Sequence, residues 1–197
     1  MKWITIELLG GFKVKQDLTE YIADRLKEIY PFFQWKVQNN SLRHTVELFV
    51  TFRVDLDGNK IALQDKFGTN LTTDYIQFED VIAFYDPIQS DIQRGNYLTV
   101  IEMDNTLGID KGQVDVVLKH LIRVASAGVS DLRDFIEKDE RDQFEMKWNQ
   151  HNYERALDTM KSLNRYNEDK LFMNFEEESS IVKELTEGNR HDGVERI

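Results

Sequence analysis

The chain has 197 residues, a formal net charge of −11, 41% hydrophobic and 31% charged residues, and no cysteine. This length and balance fit one domain, or one domain with an appendage, that can bury a core. The missing cysteine excludes disulfides, thiolate catalysis and Cys-built zinc or iron–sulfur sites, and the acidic excess argues against general nucleic-acid binding because it repels phosphate backbones at long range.

The opening stretch, MKWITIELLGGFKVK, has neither the apolar length nor the small-residue cleavage pattern of a signal peptide. It reads as a short hairpin turning at Gly10–Gly11. In DLTEYIADRLKEIYP, the positions Leu18, Tyr21, Ile22, Leu26 and Ile29 recur at helical spacing, Asp17 or Thr19 can cap the start, and Pro31 ends the pattern. Strands follow. FQWKV alternates, Asn39–Asn40–Ser41 reads as a turn, and TVELFVTFRV places Val46, Leu48, Val50 and Phe52 on one face. Asp57–Gly58–Asn59 suits a tight hairpin turn, and GTNLTTD reads as a loop. YIQFEDVIAFYD and YLTVIEM are the next strands, separated by the loop IQSDIQRGN. The runs VELFVTF and VIAFY fall far short of the ~20 residues that span a bilayer, so a cytoplasmic protein away from the membrane is expected.

The period then changes. Val114, Val117, Leu118, Leu121, Ile122 and Ala125 form a helical stripe that opens at an Asp110–Gln113 capping box and closes at Gly128. Ser130 begins a second short helix, QFEMKW alternates as a late strand, and NYERALDTMKSL is the last helix. From Asn167 to Ile197 the chain turns strongly acidic, with nine acidic against four basic residues. Within it, KLFMNF either packs back on the body or offers an apolar docking segment. A helix, a run of strands with hairpin turns, then helices predicts an α+β fold: an antiparallel sheet of about five strands with helices packed mainly on one face. The expected organisation is a single domain over 1–166 and an acidic, partly disordered tail over 167–197.

Chemistry is sparse in this sequence. VDLDGNK fails as a calcium loop, since Lys60 and Lys66 stand where a glycine and a bidentate acid are needed. His44, His120, His151 and His191 lack zinc-site spacing and read as isolated surface residues, and no phosphate loop or nucleophile elbow is present. One oddity is Asp80, which alternation puts in an apolar row with Ile76, Phe78, Ile82 and Phe84. If Glu102 on the neighbouring strand approaches it, the pair supports a small carboxylate enzyme or a metal site. Otherwise a bulge, a later strand start or bonds from backbone amides or an arginine account for Asp80. Tyr75, Tyr85 and Tyr97 suit either an aromatic binding strip with Asp80 and Glu102 or a surface under a helix.

Several of these segments together carry a resemblance: the strand Phe78–Pro87, the strand Tyr97–Ile101, the helix Asp110–Ala127, the junction Gly128–Leu132 and the late Phe144–Trp148. In these the chain resembles an uncharacterised, domain-of-unknown-function family of low-GC Gram-positive bacteria, over roughly Asp17 to Leu163. The resemblance implies a small cytoplasmic bacterial protein, and the family has no established activity or assigned catalytic residues to carry over. The expectation is a protein-binding or adaptor-like module without catalysis or cofactor, meeting a protein partner or a second copy of itself.

Overall fold

The structure, a computed structural model, describes residues 15–56, 61–64, 70–73, 75–137, 144–175 and 180–183. The expected opening hairpin, the Asp57–Gly58–Asn59 turn and the end of the acidic tail lie outside them.

A two-residue strand, β1 (Gln16–Asp17), leads into helix α1 (Leu18–Ile29). Asp17 caps α1 by accepting the Glu20 amide at 2.9 Å, and Tyr30 ends it in a left-handed conformation at φ 52°. The strands β2 (Gln34–Asn40) and β3 (Thr45–Asp55) follow, then a hairpin of β4 (Ile61–Gln64) and β5 (Asn70–Thr73). Two predictions shift here. GTNLTTD supplies a strand rather than only a loop. The β2–β3 turn begins two residues later than expected, because buried Asn39 is tied into β2: its Nδ2 donates to the Asn174 carbonyl at 2.6 Å, and the Thr19 hydroxyl donates to its Oδ1.

The remaining strands are β6 (Tyr75–Tyr85), β7 (Thr99–Glu102) and the two-residue β8 (Ile109–Asp110). Helix α2 runs from Lys111 to Glu137 and α3 from Gln150 to Ser162, before β9 (Lys170–Phe172) and β10 (Ser180–Lys183). The main sheet has the order β10-β2-β3-β6-β7 and is antiparallel except where β7 joins β6 in parallel. A smaller sheet, β1-β9-β8, stitches the start of α1 to the start of α2.

The main sheet has one apolar face. Trp35, Val37, Val46, Leu48, Val50, Phe52, Ile82, Phe84 and Ile101 lie on it, and all belong to a single core with Leu18, Ile22 and Leu26 of α1 and Val117, Leu118 and Leu121 of α2. The protein is therefore an α+β fold whose helices roof one side of a mostly antiparallel sheet.

Other elements differ from expectation for tertiary reasons. Gly128 does not end a helix; α2 passes straight through it. A Cβ there would come within 2.9 Å of the Met146 side chain, so the missing side chain admits Met146. QFEMKW forms no strand within its described residues, 144–148. Its alternate positions Phe144, Met146 and Trp148 pack against the core from irregular backbone. In the KLFMNF segment, Leu171 and Met173 are buried, which is the packing-back alternative. No helix among the described residues is long and apolar enough to cross a membrane.

Candidate functional site

The register settles where the unusual residues point. Val54, Phe52, Val50, Leu48 and Val46 of β3 stand opposite Ile76, Phe78, Asp80, Ile82 and Phe84 of β6, so Asp80 does sit in the apolar row. Its Oδ1 accepts the Val81 amide at 2.8 Å. Burial pushes its carboxyl above the ordinary value, and bonds from the Val81 and Leu98 amides offset part of that push. Glu102 stands opposite Tyr85, whose side chain belongs to the other face of the sheet. Asp80 and Glu102 are thus separated by the sheet itself, which removes the carboxylate pair on which the small-enzyme or metal-site alternative rested. The odd parity of Tyr85 against Asp80 along one unbulged strand is the physical reason.

This geometry makes Asp80→Asn informative. A carboxyl whose folded value lies above its unfolded 3.8 binds more protons in the folded chain, so folding weakens as pH rises through that window. Asparagine keeps an acceptor for the amides and has nothing to ionise. Thermal melts across pH should show Asp80→Asn more stable than the parent at pH 7, with the advantage vanishing as pH falls below 3.8. A less stable variant at pH 7 would mean that the charged form is favoured after all.

The other singled-out residues lie on the second face and are engaged there. The Tyr85 hydroxyl donates to Glu102 Oε1 at 2.9 Å, and Arg94 donates to the Tyr85 oxygen at 2.8 Å while also pairing with Glu102. These two partners hold the Glu102 carboxyl below its ordinary range. Beside them, the Tyr97 hydroxyl donates to Glu47 Oε1 at 3.2 Å, Arg43 donates to the Tyr97 oxygen at 3.4 Å, and Gln38 donates to Glu47 Oε2 at 3.2 Å. Both clusters pin the segment between β6 and β7 over the sheet, and Tyr85 and Glu47 are buried beneath it. Tyr75 is elsewhere, with the Arg53 guanidinium 3.8 Å from its ring centroid. The structure therefore brings Tyr85 and Glu102 together, puts Tyr97 in the neighbouring cluster, and leaves Tyr75 and Asp80 apart from both.

The open concavity is on the other side of the molecule. A groove of about 650 Å³ runs between α2 and α3. Its walls carry Lys119 and Arg123 of α2, Lys147 from the segment before α3, and Arg155 of α3, over an apolar base that includes Val124 and Met160. Among the described residues no carboxylate lines it, and none of the four cations has an acidic partner within ion-pair distance. His120 lines it too and is not the surface residue expected: it is 5% exposed, edge-on to Trp148 with ring centroids 4.5 Å apart. Burial, with Arg123 beside it, pulls its imidazole below the ordinary value, and a hydrogen bond to the Asn149 backbone restores part of it. The groove thus presents permanent positive charge beside a histidine pulled toward its neutral form, in a chain of net charge −11.

Residues 13–175 match the model of a family described as a protein of unknown function, DUF3013. The chain belongs to the DUF3013 family. The segments from Phe78 to Trp148 that carried the resemblance all fall within the match. A crystal structure of a conserved protein of unknown function from Enterococcus faecalis, a low-GC Gram-positive bacterium, is similar to it. That structure is 22% identical, with a TM-score of 0.69 over 82% of this chain and 97% of that one. At this identity the likeness speaks for the fold alone. No curated protein matches.

The groove of this DUF3013 protein escaped sequence reading because its cations come from three separate stretches of chain, and Glu145 and Glu154 stand close to Lys147 and Arg155 along the last two. The one usable signal was the spacing of Lys119 to Arg123 on α2 and of Asn152, Arg155 and Thr159 on α3, each a cationic or polar stripe without acids.

Proposed function

We propose that the protein is a binding module without catalysis, cytoplasmic and adaptor-like, that holds an anionic group of a partner protein in the groove between α2 and α3. The single observation that carries this reading is the cluster of four cations that, among the described residues, have no ion-pair partner and no lining acid, inside a strongly acidic chain. Such a surface orients an approaching partner: the chain as a whole is acidic while the groove is cationic, so encounter with an anionic group is steered there. The apolar base suits the aliphatic stem of a captured side chain, and the guanidinium forks of Arg123 and Arg155 suit bidentate contact with its oxygens. Groups that are always charged are fitted to holding an anion rather than to moving protons.

Two dye-labelled peptides test it, one rich in glutamate and one carrying phosphoserine between neutral flanks. At least one should bind saturably, one per chain, and weaken steeply as salt rises. If neither binds at low ionic strength, the reading falls.

A further inference from the structure

The groove concentrates its charge at one place. Lys119 and Arg123 are one helical turn apart on α2, and Arg155 and Lys147 approach from the other side. Asn149, Asn152 and Thr159 add polar side chains to the same walls. α3 begins there with no acidic residue in its first turn, so the positive end of its dipole is not neutralised locally. A second observation points to a ligand. His120 is buried in the groove wall, and among the described residues its Nε2 has no hydrogen-bond partner, which is unfavourable for a buried polar atom.

We infer, building on the binding reading above, that the group held in this groove is a phosphoryl dianion carried on a side chain of the partner protein. A phosphoryl group brings close to two negative charges and three acceptor oxygens to one point, whereas a carboxylate brings one charge and two oxygens. Converging arginines and lysines with amide and hydroxyl neighbours outnumber what a carboxylate can accept. An extended run of carboxylates would also continue past the groove onto the acidic body and be repelled there; a single dianion has no such remainder. The same excess acidity disfavours a long polyanion such as nucleic acid. His120 fits this ligand as well. A dianion in the groove favours the protonated form of the imidazole in its wall.

The experiment is calorimetric titration of the whole protein with four probes: the phosphoserine peptide, its serine counterpart, its glutamate counterpart and inorganic phosphate. The phosphoserine peptide should bind at least about tenfold tighter than the glutamate peptide, the serine peptide should not bind, and inorganic phosphate should compete for the site while binding more weakly than the phosphopeptide. Arg155→Ala, on an exposed position of α3, should remove most of the preference for phosphoserine over glutamate. Equal or tighter binding of the glutamate peptide overturns the phosphoryl assignment and leaves the groove as a protein-binding site. Inorganic phosphate binding as tightly as the phosphopeptide keeps the phosphoryl site and removes the partner protein. No binding of either phosphorylated probe overturns the inference, and if the glutamate peptide also fails, the binding reading goes with it.

Discussion

Replacing Trp35 with alanine is expected to lower the free energy of unfolding by about 3–5 kcal/mol, the range for deleting a large buried aromatic. Trp35 is the largest fully buried side chain among the described residues. It lies on the inner face of β2, opposite Val50 of β3 on one side and Lys183 of β10 on the other. Its removal opens a void on the apolar face of the sheet, between β3 and β10, where close-packed neighbours relax only in part. For a domain of this size that loss corresponds to a fall in melting temperature of roughly 6–20 °C. Phenylalanine at the same position is the informative control. Among the described residues the Trp35 Nε1 has no hydrogen-bond partner, so Trp35→Phe deletes volume together with an unsatisfied donor, and the two effects oppose each other. Calorimetric melts should therefore show Trp35→Phe losing much less than half of what Trp35→Ala loses. Comparable losses would mean that the indole nitrogen is satisfied in solution and that the packing argument is incomplete.

Trp35 also shows which parts of this fold the sequence discloses. Where side chains alternate over seven or eleven residues, as in β2, β3 and β6, local pattern and tertiary burial agree, because the buried face of a strand is set by parity alone. The same parity puts Asp80 in the apolar row, where a backbone amide satisfies it. The failures share a different cause. Gly128 looks like a helix stop because glycine commonly is one, yet its function is to admit Met146, a residue eighteen positions further on. The alternation of Phe144, Met146 and Trp148 is a true burial pattern, but what buries it is α2 and its neighbours rather than a strand partner. Asp80 and Glu102 were set against each other on the assumption that neighbouring strands present them to one face. Their separation depends on the parallel pairing of β7 with β6 in a particular register, and nothing local determines that register. The groove is the extreme case. Its cluster of four cations exists only once α2, the segment before α3, and α3 are brought together, and no single stretch of chain carries more than two of them.

Reversing the charge of α2's side of the groove, with Lys119→Glu and Arg123→Glu combined, is expected to weaken binding of the tightest acidic peptide by about 100-fold or more. Both side chains are exposed, so solvent screening limits each contact, and an exposed ion pair contributes only about 0–1 kcal/mol. Reversal does more than delete that attraction, since it replaces it with repulsion of similar size. A cost of about 1.4 kcal/mol per residue is a tenfold loss each, and the two together give the hundredfold figure. The fold should tolerate the change, because neither residue has an acidic partner to lose among the described residues. The new Glu at 119 would stand one turn from Asp115, a helical like-charge pair that costs a few tenths of a kcal/mol. Circular dichroism and melting temperature should thus stay close to those of the parent while affinity collapses. The salt dependence should change as well: with two fewer cations to screen, what binding remains should respond less steeply to ionic strength. The matched control is Arg43→Glu with Arg94→Glu, which alters the same number of positive charges on the opposite face of the sheet. Net charge falls equally in both double variants, so a loss confined to the α2 pair locates the ligand in the groove. Equal losses in both would show that only the overall charge of the protein matters, and the groove would have no special claim.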